Sequence, residues 1–411
     1  MAGNILNIGK SGLFAAQAGL STAGHNIANA GVAGYSRQGI VQSTSTAQNI
    51  GIGFVGSGTQ VTDIQRFSDP FLNGQVRTAT TSKSAFDTYA AQISQVDNLL
   101  ADTTSGLSPA MQDFFNSVQD VASNPQSVAS RQSLMSGADQ FASRFQDLNG
   151  RLQEIRDGVN SQITSSVTLI NSYAGQIASL NDKISAYSSR GSGFPNDLMD
   201  TRDQLVLKLS EQVKANVVAG ENNSVTVTIG NGQPLVVGTK AFELRPMISP
   251  TDPMRVQVAY ASGNKVVPLA ESALSGGQLG GLFEFRANTL DRAQNSLGRI
   301  ATVVATSVNE QHSLGIDADG VAGGPFFKLA PVAVGASRDN ATNSTAVVGA
   351  AISDASQLTT SDYKVSYDGG RTPPRSGCPS SRWPWPCRLP RDGSTCRIRP
   401  RSSPRPSGSR T

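Results

Sequence analysis

Between residues 141 and 180 the chain repeats with a period that suits a long helix. Phe141, Phe145, Leu148, Leu152, Ile155 and Val159 are spaced by four and three in alternation. Ile163 and Val167 follow by fours, and Ile170, Ala174, Ile177 and Leu180 resume the pattern. Apolar residues at this spacing share one face of an α-helix. A helix from about residue 129 to 188 is ~90 Å long, which calls for a helical bundle or coiled coil. Gly137, Gly150, Gly158 and Gly175 lie inside it. Each costs about 1 kcal/mol relative to Ala, so the apolar face must supply the stability.

A second heptad run opens the chain. Leu6, Leu13, Leu20 and Ile27 stand at intervals of seven, with Gly9, Ala16, Ala23 and Ala30 three residues after each. This is a seam with a large residue at a and a very small one at d, which lets a partner backbone come close. The rest of the surface is mild and almost uncharged. Such a helix buries too little to be stable alone. Leu6, Leu13, Ala16, Leu20, Ala23 and Ile27 are therefore expected to pack against a partner helix, in the same chain or in neighbouring subunits. Asn26-Ile27-Ala28-Asn29 closes the pattern, and Asn29 or Gly31 is the expected left-handed stop. One basic residue near the start and no solid apolar run argue against a signal peptide.

The segment from Ser36 to Asp63 is polar and punctuated by glycine. Gly51 to Val61 reads as a short strand or extended ribbon. Its glycine spacing resembles a nucleotide loop, but no strand-then-helix frame or P-loop lysine accompanies it. Phe86, Tyr89, Ile93, Val96 and Leu100 return to heptad spacing, and Met111 to Ala122 predicts a short amphipathic helix. Asn196 to Gln212 predicts another, with an Asn cap, early Asp residues and an apolar face of Leu198, Leu205 and Leu209. Asp200, Arg202 and Asp203 read as its charged, solvated face. From about 217 to 261 the period changes to two: Ser224–Ile229 and Leu235–Val237 form an expected hairpin, and Arg255–Tyr260 a third strand. Gly276 to Leu282 reads as a flexible joint. Phe283 to Gln311 predicts a helix antiparallel to the long one. Asp317-Ala318-Asp319-Gly320 matches part of a calcium loop, but Lys328 stands where that loop needs a Glu, so an Asp-Gly turn is the better reading.

The net charge of +4 is misleading. Residues 371–411 hold ten Arg, no Lys and one Asp, which is +9. The other residues hold 24 basic and 29 acidic side chains, which is −5. The body offers no basic footprint for nucleic acid. No apolar run approaches the ~18 residues of a membrane helix. All three cysteines, Cys378, Cys387 and Cys396, lie in the tail and lack the close pairing of a zinc site. The tail from 371 to 411 is Pro/Arg/Ser-rich and expected to be disordered. Its abrupt onset predicts out-of-frame translation of a GC-rich gene after about residue 370. No second heptad helix precedes Thr411 to pair with the first.

Ser11-Gly12-Leu13, Gln17, Leu20, Asn26 to Asn29 and Gly34-Tyr35-Ser36-Arg37 together resemble the N-terminal signature of bacterial flagellar rod, hook and hook-associated proteins. Asn26, Asn29, Gly34, Tyr35, Ser36 and Arg37 carry that motif. Asn196–Gln212 and Val308–Phe327 resemble segments of the hook-associated protein 1 family within it, to which residues 1 to about 370 are similar. The resemblance implies a mainly α fold with β insertions. Residues 1–80 would be an N-terminal axial helix plus an extended β-ribbon segment. Residues 81–325 would be a long antiparallel helical bundle with the small β excursion, 326–370 the start of an incomplete β domain, and 371–411 the tail. It implies a structural subunit of the hook–filament junction, self-associating in a helical tubular assembly. Hook protein, the second junction protein and an export chaperone would be its partners. Export would be type III without a cleaved signal, to an extracellular place in the flagellum.

No catalytic constellation is legible. His25 and His312 have no Ser, Cys or metal partner that spacing can place, and no cofactor is expected. Two alternatives stand beside the junction reading: another flagellar axial protein (hook or rod), or a secreted enzyme on an axial scaffold. A rod-like helical domain argues against the first, and a bound metal would favour the second.

Overall fold

The computed structural model describes residues 2–49, 51–100, 106–189, 193–263, 265–317, 319–340, 348–366 and 397–400. The helices are α1 (Ala2–Ala28), α2 (Pro70–Leu100), α3 (Leu107–Ser123), α4 (Val128–Ser189), α5 (Asn196–Gln212), α6 (Gly277–Phe285) and α7 (Asp291–Ser313). Between α1 and α2 lie β1 (Gln38–Thr44), β2 (Gln48–Asn49), β3 (Phe54–Val55) and β4 (Thr59–Arg66). After α5 come β5 (Ala215–Ala219), β6 (Val225–Ile229), β7 (Gln233–Val237), β8 (Lys240–Ala241), β9 (Leu244–Ile248), β10 (Val256–Ser262) and β11 (Lys265–Pro268). The last two strands are β12 (Tyr363–Ser366) and β13 (Arg397–Pro400), an antiparallel pair. The fold is mainly α with β insertions, as the patterning predicts. Most of the tail expected to be disordered lies outside the described residues, as do all three cysteines.

The chain divides into two compact units. The first comprises Met1–Tyr89, Ser161–Met247 and Val256–Phe283. Here β1 and β4 form an antiparallel hairpin against which α1 packs. A four-stranded sheet in the order β5-β6-β7-β8 and a three-stranded one in the order β11-β10-β9 form the β excursion. The expected hairpin is β6–β7. Ile163, Val167, Ile170, Ala174 and Ile177 of α4 are fully buried. Two asparagines on α4 clasp the strands. Asn171 donates to Leu244 O (2.8 Å) and accepts from Leu244 N (2.9 Å). Asn181 does the same at Val225 and also donates to Gly238 O (2.7 Å). An asparagine amide used this way mimics one more strand residue.

The glycine-rich stretch before α7 is not a flexible joint. It forms α6, with Leu279, Leu282 and Phe285 fully buried. Its glycines serve close approach: a Cβ on Gly281 would lie 2.5 Å from Ala85 O, and one on Gly277 2.5 Å from the Gln212–Val213 peptide.

The second unit comprises Ala90–Asn160, Ile248–Arg255 and Glu284–Thr411. Its core is aromatic: Phe114 of α3 stacks on Phe141 of α4 at 5.4 Å, and Phe145, Phe326 and Phe327 close around them. Val304 and Val308 of α7 join this cluster near Phe145, while Arg156 lies 3.2 Å from Asp291 at the other end of α7. Helix α7 therefore runs antiparallel to α4, as expected. Asn309 clasps Phe327 as the α4 asparagines clasp the strands, at 2.7 and 2.8 Å. Asp317 is used by its own loop. Its carboxylate accepts from Asp319 N and Val321 N, and Gly320 N closes a turn onto Asp317 O. That is the Asp-Gly turn expected from the sequence.

The heptad stripe read on α2 is mostly outward. Phe86, Ile93 and Leu100 are exposed, and only Val96 of the five is buried. The buried positions of α2 are Thr81, Gln92 and Val96, and Thr81 donates to Ser210 O (2.9 Å).

Candidate functional site

The motif residues of the N-terminal stretch and the charged residues of α5 meet at one place. Helix α1 ends at Ala28. Neither Asn29 nor Gly31 is left-handed; the stop works differently. The Asn29 side chain donates to His25 O (2.9 Å), which also accepts from Asn29 N (3.1 Å), so backbone and side chain of one residue close the last turn on the same carbonyl. The chain then turns through Gly34, at φ +81°. A side chain at Gly34 would be strained by that φ and would overlap Gln204 of α5.

Asn26 holds the returning strand. Its Oδ1 accepts from Gln38 N (2.8 Å) and from Tyr35 OH (2.7 Å), and its Nδ2 donates to Gln38 O (2.9 Å). Two bonds thus tie the last turn of α1 to the first residue of β1, and the third ties it to the turn before that strand. The Tyr35 ring stands edge-on to His25 at 5.5 Å. Burial, then the carboxylates of Asp197 and Asp200, push the Tyr35 hydroxyl above its ordinary pKa, so it stays a donor. The Arg37 guanidinium lies over the Phe67 ring, 4.1 Å from its centre.

Helix α5 receives this turn with charge. Ser36 N donates to Asp200 Oδ2 (2.8 Å). Arg66, at the end of β4, bridges Asp200 and Asp203 at 2.8 Å each. Asp197 accepts from Gln38 Nε2 (2.9 Å) and lies 3.4 Å from His25 Nε2. Asn196 does not cap its helix; its Nδ2 donates to Ile64 O (2.6 Å) and to Gln38 Oε1 (3.3 Å). Asp200 and Arg202 are buried, at 6% and 3% exposure. The face expected to be solvated is thus an internal ion-pair network, because β1 and β4 cover it. Burial holds the Arg202 pKa low, opposed by Asp203, and its Nη1 donates to Asn223 O (2.5 Å).

The packing residues read from the heptad seam lie elsewhere. Leu6, Leu13, Leu20 and Ile27 are 74%, 69%, 76% and 77% exposed, and Ala16 and Ala23 are exposed too. The face of α1 that meets the hairpin is the opposite one, where Ala15 and Thr22 are buried and Ser11, Ala18 and Gly19 half-buried. The polar contacts at Asp200, Arg66 and Asn196 were not legible as a site. Their partners stand 132 to 164 residues apart in sequence. Among the described residues no group of three or more metal-ligating side chains occurs, and no helix is long and apolar enough to cross a membrane.

Known proteins match the helical part of the chain. The profile of the flagellar hook-associated protein FlgK helical domain matches residues 93–327. The chain belongs to the flagellar hook-associated protein FlgK family. Flagellar hook-associated protein 1 of Escherichia coli (strain K12) is 39% identical over 370 residues, which is 90% of this chain and 67% of that protein. The Salmonella typhimurium protein of the same name is 40% identical over 89% of this chain and 66% of its own length. The flagellar hook junction protein FlgK from Burkholderia pseudomallei shares the fold, with a TM-score of 0.67 and 38% identity over 72% of this chain and 53% of that one. The chain thus spans about two thirds of the length of its curated FlgK relatives. Membership in this family makes it a flagellar structural protein.

Proposed function

We propose that the chain is a subunit of the bacterial hook–filament junction, built to associate through heptad helices. The observation that carries this reading is the outward seam of α1. Four large apolar residues at intervals of seven face solvent while the opposite face is fixed to the hairpin. A face of that kind, with large and very small residues alternating at heptad spacing, suits burial against another helix. Leu6, Leu13, Leu20 and Ile27 are the knobs of this contact, and Ala16 and Ala23 admit the partner backbone. Asn26, Asn29, Gly34, Tyr35, Ser36 and Arg37 hold the helix to the body.

The names of the relatives support an extracellular flagellar location. Hook protein and a second junction protein are its neighbours in this reading, self-association builds a helical tube, and a chaperone accompanies type III export without a cleaved signal. The functional division is an axial segment (1–80), a helical domain (81–325) and a β segment from 326. The family profile at 93–327 supports the middle part.

Co-sedimentation with isolated hooks tests the reading. The chain is expected to pellet with hooks, and Leu13→Asp with Leu20→Asp to weaken this by about tenfold or more, equivalent to ~1.4 kcal/mol, with unchanged far-UV circular dichroism. Equal pelleting of both proteins removes the seam from the function, and no pelleting of either removes the junction reading.

A further inference from the structure

Helix α1 carries two heptad rows on opposite faces. The outward row is Leu6, Leu13, Leu20 and Ile27; the inward row is Ile8, Ala15, Thr22 and Asn29. The two are offset by two residues, about 200° around a helix. Apolar burial alone would choose the reverse arrangement. Rolled by about half a turn, α1 would press its three leucines and Ile27 onto the hairpin, where Ile40 and Ile64 stand, and give the less apolar row of Ile8, Ala15, Thr22 and Asn29 to water. The observed rotation is therefore set by something other than hydrophobicity.

We propose that Asn26 and Ser11 are positioning residues that fix the rotation of α1 about its own axis and so keep the leucine row outward. Near the C-terminal end, the Asn26 amide is used on both sides, by Tyr35 OH, Gln38 N and Gln38 O. Gln38 is itself buried, so a roll would strand its backbone N–H and C=O without partners. Near the N-terminal end, the Ser11 hydroxyl donates to Ile8 O (2.8 Å) and accepts from Thr59 N (3.1 Å). Gly58 beside it is left-handed at φ +97°, and a side chain there would overlap the Ser11 hydroxyl. Between these pins a Cβ on Gly19 would make ordinary contact with the Ile40 side chain, 3.5 Å from Cδ1, so α1 faces β1 here. One pin would let the helix swivel. Two pins fifteen residues apart, ~22 Å along the axis, define both its line and its rotation.

The proposal rests on the reading of the leucine row as an assembly face only for its purpose; its test needs no assembly. Ala15 and Ala16 are neighbours of one residue type, the first 3% exposed and the second exposed. In the 411-residue chain with Cys378, Cys387 and Cys396 changed to Ser, a single Ala15→Cys or Ala16→Cys is introduced and its rate of alkylation by iodoacetamide measured. Cys at 16 is expected to react at least tenfold faster than Cys at 15. With Ser11→Ala and Asn26→Ala added, the order reverses: position 15 speeds up and position 16 slows, each by at least tenfold. Ser11→Thr, which keeps a hydroxyl, retains the original order. Unchanged rates in the double variant overturn the proposal. So does a faster position 15 with position 16 unaltered, because that marks a helix merely detached. Loss of hook binding with the alkylation pattern intact counts against the junction reading and leaves this one standing.

Discussion

Helices α4 and α1 carry the same kind of heptad signal and use it in opposite ways. In α4 the stripe from Phe141 to Ile184 is buried, most of it completely and Phe145 and Ile155 partly, under α3, α7 and the β excursion. In α1 the stripe faces water, and the helix is attached through a row of small and polar residues. Periodicity states that a helix needs an apolar neighbour. It does not state whether that neighbour is in the same fold. What separates the two cases is how the hydrogen-bonded polar residues relate to the stripe. On α4 the hydrogen-bonded polar residues, Arg156, Asn171 and Asn181 among them, accompany a stripe that is itself buried. Behind the α1 stripe stand Ser11, Thr22, Asn26 and Asn29, each hydrogen-bonded at a specific place.

Three substitutions can break or sharpen this contrast. The largest effect is expected at the joint that holds α1 and α5 to the hairpin. Arg66→Ala leaves the buried Asp200 carboxylate without its cation, at a cost of about 3–5 kcal/mol, read as a lower urea midpoint. A loss under about 1 kcal/mol would mean that the network behaves as a surface ion pair. In α4, Leu152→Ala empties a fully buried position and should cost about 2–5 kcal/mol, measured the same way. The smallest effect is expected for Leu13→Ala in α1, within about 0.5 kcal/mol for the isolated chain. A loss of the size expected for Leu152 would place Leu13 in an intramolecular core and cancel the comparison.

Legibility followed hydropathy. The long helix α4 was readable because Phe, Leu, Ile and Val mark its period. Its glycines proved harmless: Gly150, Gly158 and Gly175 have open space around them, and the apolar face outweighs their propensity. The hairpin β6–β7 and helix α5 were readable from turn residues and from one apolar face. The packed faces of α1 and α2 were not, because alanine, serine, threonine and glutamine leave no hydropathy signal. The α2 heptad spacing is real as a pattern, but of its five residues only Val96 is buried. The buried state of Asp200 and Arg202 was hidden for another reason. Nothing in Asp-Thr-Arg-Asp tells a solvated face from one covered by a hairpin more than 130 residues away. The glycines of α6 were misread as flexibility because composition cannot distinguish a loose joint from a tight crossing.

The asparagine clasps at Leu244, Val225 and Phe327 have a consequence for the conditions under which the fold holds. Each joins a helix to an extended segment through a neutral amide whose donor and acceptor are both engaged. A contact without net charge is not screened by dissolved ions, and an amide has no proton to gain or lose across ordinary pH. These three contacts are therefore expected to respond to salt and pH less than the Arg66 ion pairs do.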